Sequence, residues 1–402
     1  MGHHVTLPSN ESVQLPAGHR LRRFPLIFGV VGVLCLAGSW FAAGGDHKAF
    51  YHSYLTAFLF GLSIALGALF FTLFQHAASA GWSVVVRRVA ENLMAPLPIF
   101  ALLFIPLWFG RHDLYHWTDL EHVAHDPVLL GKQGFLNEGF WMVRAAIYFG
   151  LWTLMSWWFR SKSIRQDSEG GTALSRLMQM RSYPAIMAFA LTISFAAIDW
   201  GMSLDPHWYS TMWGVYYFAG SIVSAFAMLG FSVLLMQRWG LLQGIVTKDH
   251  FHDIGKLVFA FTVFWAYIAF SQYFLIWYAN IPEETSFFHR RAVNTWYVLG
   301  IYLMIGHFGL PFFFLMGRTL KKIPWSLALG CVWIITFHYL DLYYVVMPNV
   351  HKSGITASLV DGLTAIGVLS IYIALAAWFL GKAALIPQKD PRLPESLAFQ
   401  NF

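Results

Sequence analysis

Ten stretches of mostly apolar residues recur along the chain, separated by shorter polar joints. A hydrocarbon core about 30 Å thick is crossed by about 20 helical residues, each rising ~1.5 Å. The pattern therefore predicts spans over 24–43, 54–74, 93–109, 140–159, 183–202, 213–236, 257–278, 296–316, 325–346 and 358–380. This is the signature of an all-α integral membrane protein with ten transmembrane helices. A tail at 1–23 precedes a membrane domain at 24–384, and a second tail follows at 385–402. The longest joint, 110–139, is too short to fold alone, so the joints serve a membrane body.

Charge orients that body. With the N-terminus in the cytoplasm, 19 of the 26 lysines and arginines fall in inner joints and tails and 6 in outer joints, and Arg144 lies inside span four. Positive charge is retained on the cytoplasmic side, which predicts both termini inside. The composition, 57% hydrophobic and only 11% charged, agrees. The net charge of +6 has no separate basic domain behind it, so it reports topology and not nucleic-acid binding. Arg20, Arg22 and Arg23 before an apolar run resemble a signal peptide, but the length of that run predicts an uncleaved first helix. Cys35 and Cys331 both sit inside spans, where they form neither a CxxC site nor a disulfide framework.

Small and polar residues mark where helices meet. Gly61, Ser63, Ala65, Gly67 and Ala68 in span two suit close helix approach in lipid. Tyr217, Ser221 and Ser224 in span six, and Tyr267, Ser271, Phe274 and Tyr278 in span seven, form stripes predicted to face neighbouring helices. Proline predicts breaks, because its missing N–H leaves a carbonyl without a helical partner. Pro311 frees the carbonyl of His307, and Gly306 and Gly309 flank that histidine about 16 Å below the outer end of span eight. An ionisable group on a weakened helix near the midplane is a pathway candidate. Span three, with Pro96, Pro98 and Pro106, is predicted to kink as well.

Ionisable groups inside spans are costly and need a reason. Counted along their helices, Arg144, Asp199, His338, Asp341 and Asp361 all fall in the outer third of the membrane. His338 and Asp341, three apart, share a face, as do Thr192 and Asp199, seven apart. Two readings follow for this set: an ion-pair network holding helices together, or a site where protons or a quinone head group are handled. A histidine beside a carboxylate suits quinol oxidation, which obliges the ring to shed two protons.

Two joints are rich in histidine. The outer one carries His112, His116, His122 and His125 among Asp113, Asp119, Glu121 and Asp126, and reads as a metal site or a partner-docking loop. In the inner one, His250, His252 and Asp253 read as the solvated start of span seven. His76, His307 and His338 are placed at three different depths, which argues against a bis-histidine haem. Neither a Walker A loop, a Rossmann fingerprint nor a CxxCH site is present, so electron carriers are expected on other chains.

The segments Asp199-Trp200-Gly201-Met202-Ser203-Leu204-Asp205-Pro206-His207-Trp208 and Phe270-Ser271-Gln272-Tyr273-Phe274-Leu275-Ile276-Trp277-Tyr278 resemble the ActF subunits of bacterial alternative complex III, a quinol:cytochrome c or acceptor oxidoreductase. His338-Tyr339-Leu340-Asp341 and the tail motif Asp390-Pro391-Arg392-Leu393-Pro394-Glu395-Ser396 fit the same family, and the likeness covers nearly the whole chain. It implies an NrfD-like body of two four-helix bundles flanked by the first and last helices, in the bacterial inner membrane. It further implies partners: an ActC-like sister membrane subunit, multihaem and monohaem cytochrome subunits, an iron–sulfur subunit and in some assemblies a terminal oxidase. Haems and iron–sulfur clusters would reside in those partners, none in this chain, and quinol would be the substrate of the complex. In such complexes quinol is oxidised at ActC, while ActF-like chains are proposed to conduct protons, so no quinone is expected beside His338 and Asp341 here.

The expectation is thus a cofactor-free membrane subunit that scaffolds redox partners on its outer face and carries protons through Arg144, Asp199, His307, His338, Asp341 and Asp361. Two rivals stand beside it. One is a chain that itself oxidises quinol, with His338 and Asp341 as proton acceptors; the other is a secondary transporter built around broken spans three and eight.

Overall fold

The computed structural model describes residues 13–401. The described residues form helices and connecting turns, with no strand among them. We number the long helices α1 (Phe24–Ala42), α2 (His47–Ala77), α3 (Val84–Phe109), α4 (Glu138–Glu169), α5 (Ala173–Trp200), α6 (Trp213–Arg238), α7 (Lys248–Ala279), α8 (Asn294–Met316), α9 (Pro324–Val346) and α10 (Leu359–Leu380). All but α4 are long and apolar enough, by length and composition, to cross a membrane. The chain is therefore a multi-pass helical membrane protein. α4 runs for 32 residues but carries Arg144 and ends in the polar run Arg160 to Glu169.

Several helices outrun the predicted spans, because their charged ends continue the helix into the polar zone. α2 begins seven residues before the predicted start at Tyr54, where Asp46 caps it by accepting from the Ala49 N–H at 3.0 Å. α10 opens with a capping box in which Ser358 and Asp361 exchange side chain to backbone bonds.

α2 is the central post and is buried along almost its whole length. Glycine lets it approach α6: a Cβ on Gly67 would sit 2.2 Å from the Ser221 carbonyl oxygen. α2 packs against α3, α5, α6 and α10, α4 against α3 and α5, α6 also against α5, α7 and α9, α8 against α7 and α9, and α1 lies against α10. Gly32 and Gly367 permit that last contact, since a Cβ on either would meet the other helix at under 3 Å.

The joints segregate to two ends. At one, Lys132 donates to the Pro206 carbonyl, Trp208 to Glu284, Trp296 to His351 and Asn294 to Ser353. At the other, the C-terminal tail ties down the joints after α2 and α4. Gln388 N–H donates to Asp167 at 2.9 Å, the Ser396 hydroxyl to the Trp82 carbonyl at 2.7 Å, and Arg87 to Asp390 at 2.5 Å. Each long helix links the two ends, so alternate joints gather on the same side.

The proline-bearing spans break as predicted. α3 is interrupted around Ala95–Pro96 and at Phe104. α8 passes through a π-helical turn at Met304–Gly309 immediately before Pro311. Trp333 on α9 then donates its indole N–H to the exposed Gly306 carbonyl at 2.7 Å, satisfying a group the widened turn leaves free.

Candidate functional site

The outer-third ionisable groups do not form one network. Arg144 on α4 meets Asp199 on α5 in a bidentate pair, Nε to Oδ2 and Nη2 to Oδ1 both at 2.8 Å. Tyr148 adds its hydroxyl to Oδ2 at 2.7 Å, and Arg144 also donates to the Phe135 carbonyl at 2.9 Å. The Phe135 and Phe140 rings lie 3.8 and 4.4 Å from the guanidinium carbon and screen it from lipid. Thr192, predicted to share a face with Asp199, does so: it accepts from the Trp152 indole on the same helix α4. This cluster is a satisfied, dry clamp between α4 and α5, with neither charge left over for a substrate.

Asp361 sits apart at the start of α10. It accepts from Ser53 at 2.5 Å, from Tyr343 at 3.3 Å and from the Ser358 N–H at 2.9 Å. Its carboxylate completes a helix cap and joins α10 to α2 and α9.

His338, Asp341 and His307 come together where α8 and α9 meet α6 and α7. Asp341 accepts from the Tyr216 hydroxyl and, at 3.2 Å, from the Trp265 indole. The Trp265 ring lies against His307 with centroids 3.8 Å apart, and His307 lies 6.3 Å from His338. The two histidines, separated by depth in the sequence, are therefore neighbours, because the π turn of α8 brings His307 in against α7 and α9. Asp341 makes no hydrogen bond to either ring.

The tautomer of His338 follows from its partner. Ser63 spends its one hydroxyl proton on the Phe60 carbonyl at 2.7 Å, so at 2.9 Å it accepts from His338 Nε2–H. Nδ1 is then a lone-pair acceptor, fully buried and without a protein partner. Both ring nitrogens of His307 are likewise buried and unpartnered. Gly220 makes room for the His338 ring, since a Cβ there would lie 2.6 Å from Cε1.

A cavity of about 540 Å³ opens beside Asp341 between α6, α7, α8 and α9. Its walls are aromatic, including Trp213, Tyr216, Trp265, Phe270 and Phe308. Polar groups in the lining include Asp341 and Gln272, whose side-chain Oε1 is buried without a partner. Tyr267, Phe270 and Met304 line it as well and are each more than 60% exposed, so the cavity opens on the side of the helix bundle. Such a shape, apolar with a few convergent polar groups, fits a small aromatic head group with an attached tail.

Sequence reasoning located Asp341, His338 and His307 but missed Tyr216, Trp265, Ser63 and Gln272. These are neutral residues on other spans, and no local spacing ties them to Asp341. It also misplaced two features. The stripe Tyr267, Phe274, Tyr278 faces outward, with Tyr278 77% exposed, because α7 turns its polar-aromatic face away from the bundle. His250 and His252 are buried and not solvated: the C-terminal tail lies over them, and His250 bonds the Ser396 carbonyl at 3.1 Å. A buried ionic cluster near the tail was read only as topology. Arg87 and Arg88 enclose Glu91, and Asp390 and Asp167 complete the set.

Among the described residues no three histidine, cysteine or acidic side chains converge on a metal-sized gap, in the outer histidine joint or elsewhere. Comparison with protein-family models finds no match, and comparison with curated proteins finds none that matches.

Proposed function

We propose that this chain is an integral membrane subunit of a quinol-oxidising electron-transfer complex of the alternative complex III type. In this reading it spans a bacterial inner membrane ten times, with both termini in the cytoplasm. The contacts of α3 and α5 with both α2 and α4, those of α7 and α9 with both α6 and α8, and the pairing of α1 with α10 support an NrfD-like body of two four-helix bundles. α4 is the tenth span, since it links the two ends of the bundle and neutralises Arg144 internally.

The observation that carries the reading is the buried set Asp341, His307 and His338, in which Trp265 links Asp341 to His307 and the His307 ring lies 6.3 Å from that of His338. Groups of this kind inside a bilayer are retained for proton or substrate handling. His338 Nδ1 and one of the two His307 nitrogens are bases without protein partners, the other His307 nitrogen being an unpartnered N–H donor, and Asp341 is an acid or base at the cavity wall. The transporter rival has less support: the broken helices pack against different neighbours, α3 against α2 and α4 and α8 against α7 and α9, and do not frame a shared midplane site.

The cavity favours a second reading, in which this chain itself receives quinol. The family resemblance predicts no quinone here, yet the pocket reaches Asp341 and presents an unpaired acceptor on Gln272. A quinol hydroxyl would donate to Gln272 Oε1, Asp341 would take up one of the two protons released on oxidation and water at the cavity mouth the other, and both electrons would pass to a haem-bearing partner.

Affinity purification of the tagged chain in mild detergent tests the assembly: haem-containing partners are expected with it, and a chain that runs alone would refute the proposal. Asp341→Asn then separates the two readings. If the chain oxidises quinol, turnover falls ~10²-fold or more, as for loss of a general base; if it only conducts protons, electron transfer survives and proton uptake or release in vesicles changes.

A further inference from the structure

A narrow slot of about 100 Å³ lies between the start of α1 and the end of α6, with α3 and α10 behind it. Leu21, Phe24, Leu235, Trp239 and Ala376 give it apolar walls, and Asn92 is set among them. It exists because α1 packs along α10 and stands off α6. At one end Trp239 bridges the gap: its carbonyl accepts from His19 Nε2 at 3.2 Å and its indole meets the Phe24 ring edge-on at 5.5 Å.

That end carries cations. The short turn Arg20–Arg23 holds three arginines, Arg238 ends α6 and Lys382 follows α10, and all five side chains are on exposed residues. The Arg20 guanidinium lies 5.2 Å from the Trp239 ring centre, so it stands at the rim of the slot. Arginine does not deprotonate in proteins, and lysine in water titrates only near pH 10. Among the described residues none of the five has an acidic partner. The acids at this end are held elsewhere: Glu91, Asp167 and Asp390 by Arg87 and Arg88, Glu169 by Arg165, Asp249 by Lys322 and Asp253 by Lys256, while Glu395 lies against Gly81. The excess of positive charge is therefore real and local.

Asn92 points to the same occupant. Its Oδ1 accepts from Arg160, Nη2 at 3.0 Å and Nε at 3.3 Å, which fixes the orientation of the amide. The Nδ2–H₂ group is left without a partner among the described residues, although Asn92 is only 3% exposed. A buried donor in an apolar slot calls for an acceptor oxygen. An acyl chain, an ester or phosphate oxygen and a charged head in one molecule describe a phospholipid. A zwitterionic head would set its own cation against five others, whereas an anionic head neutralises them.

We infer that the slot between α1 and α6 binds one anionic phospholipid, with an acyl chain against Leu235 and Ala376, an oxygen accepting from Asn92 and the head group on Arg20, Arg23 and Arg238. The inference needs only that the chain spans a membrane, and it stands apart from the reading of the chain as an electron-transfer subunit.

The test measures lipid binding to the purified, delipidated protein by native mass spectrometry and by the rise of its unfolding midpoint, using phosphatidylglycerol and phosphatidylcholine with the same acyl chains. Wild type is expected to bind phosphatidylglycerol saturably and at least about tenfold more tightly than phosphatidylcholine. Arg20→Gln/Arg23→Gln/Arg238→Gln, which changes exposed residues only, should erase that preference, and Ala376→Phe, which fills the slot, should weaken both lipids. An unfolding midpoint equal to wild type before lipid is added verifies each fold; if Ala376→Phe fails it, the arginine variant decides alone. Equal affinity of wild type for the two lipids, or an undiminished preference in the arginine variant, overturns the site. Equal stabilisation by inorganic phosphate would mean that the arginines take a free anion and that no lipid is recognised. Benzoylphenylalanine in place of Leu235 should crosslink to phospholipid in native membranes, and a crosslink to protein instead would put a partner's helix in the slot and overturn the assignment.

Discussion

At the scale of single residues, the Arg144–Asp199 pair illustrates how a charge survives inside a bilayer. The guanidinium is matched on both arms, Tyr148 fills a further acceptor site, and two phenylalanine rings cover the open side. Removing one partner strands the other in a dry site, which costs about 3–5 kcal/mol. Asp199→Asn is therefore expected to lower the unfolding midpoint of the detergent-solubilised protein sharply, whereas Arg144→Met combined with Asp199→Leu recovers most of the loss. An Asp199→Asn protein as stable as wild type would show that the pair is not a clamp. Depth counted along the helices put Arg144 and Asp199 at the same level, together with His338, Asp341 and Asp361, but did not say which of these groups pair. What surrounds Asp341 was not legible in this way. Tyr216, Trp265 and Gln272 carry no formal charge, and only the crossing angles of α6 and α7 bring them to the carboxylate.

At the scale of elements, the π turn of α8 matters because it aims His307. Gly306 is where α8 meets Phe337 of α9: a Cβ there would lie 2.0 Å from the ring. Gly306→Ala is expected to cost about 1–3 kcal/mol through overpacking, and trimming the ring with Phe337→Ala should restore part of it. Thermal unfolding of the single and double variants measures this, and additive losses would mean the two sites do not touch. The break itself was readable from Pro311, but its form was not, since a missing N–H can be accommodated by a kink, a 3₁₀ turn or a π turn.

The C-terminal tail is a second element with a defined latch. Burial alone would raise the Asp390 carboxyl, but the Arg87 guanidinium overrides it and holds the group below its ordinary value. A carboxylate depressed in the folded state stabilises above its unfolded pKa, about 3.9, and that contribution is lost as pH falls through the folded value. The tail should therefore stay latched at neutral pH and loosen only below about pH 4. Asp390→Asn should loosen it already at pH 7. Hydrogen exchange over residues 384–400, corrected for the intrinsic rate, reads both effects, and a tail equally protected in variant and wild type at pH 7 would remove the latch. The tail was read as a cytoplasmic appendage, and its role as a lid over His250 and the Arg87–Glu91 cluster was hidden because those contacts span some 150 to 300 positions in sequence.

At the scale of the whole molecule, the apolar pattern carried most of the architecture. Membrane helices satisfy their own backbone, so hydropathy alone locates them; which helices touch depends on small-residue contacts such as Gly67 on Ser221, which spacing only suggests. The remaining topological question is parity. Among the described residues nine helices meet length and apolarity, and α4 decides whether the two ends of the described chain lie on the same side. Its polar end carries Arg160 and Asp167, which pair with Asn92 and Arg88 at the same end as the tail, while its start carries Glu138 paired with Arg111 at the other. α4 thus runs from one end of the bundle to the other, as the proposed even count requires. Ser353 lies in the loop after α9, on the side holding few positive charges, and Lys389 lies in the tail on the side holding most of them. With Cys35 and Cys331 replaced by Ala, a membrane-impermeant maleimide added to intact cells should label a Ser353→Cys chain and spare a Lys389→Cys chain until the membrane is permeabilised. Labelling of the tail from outside would invert the orientation, and with it the face to which the proposed electron-transfer partners are assigned.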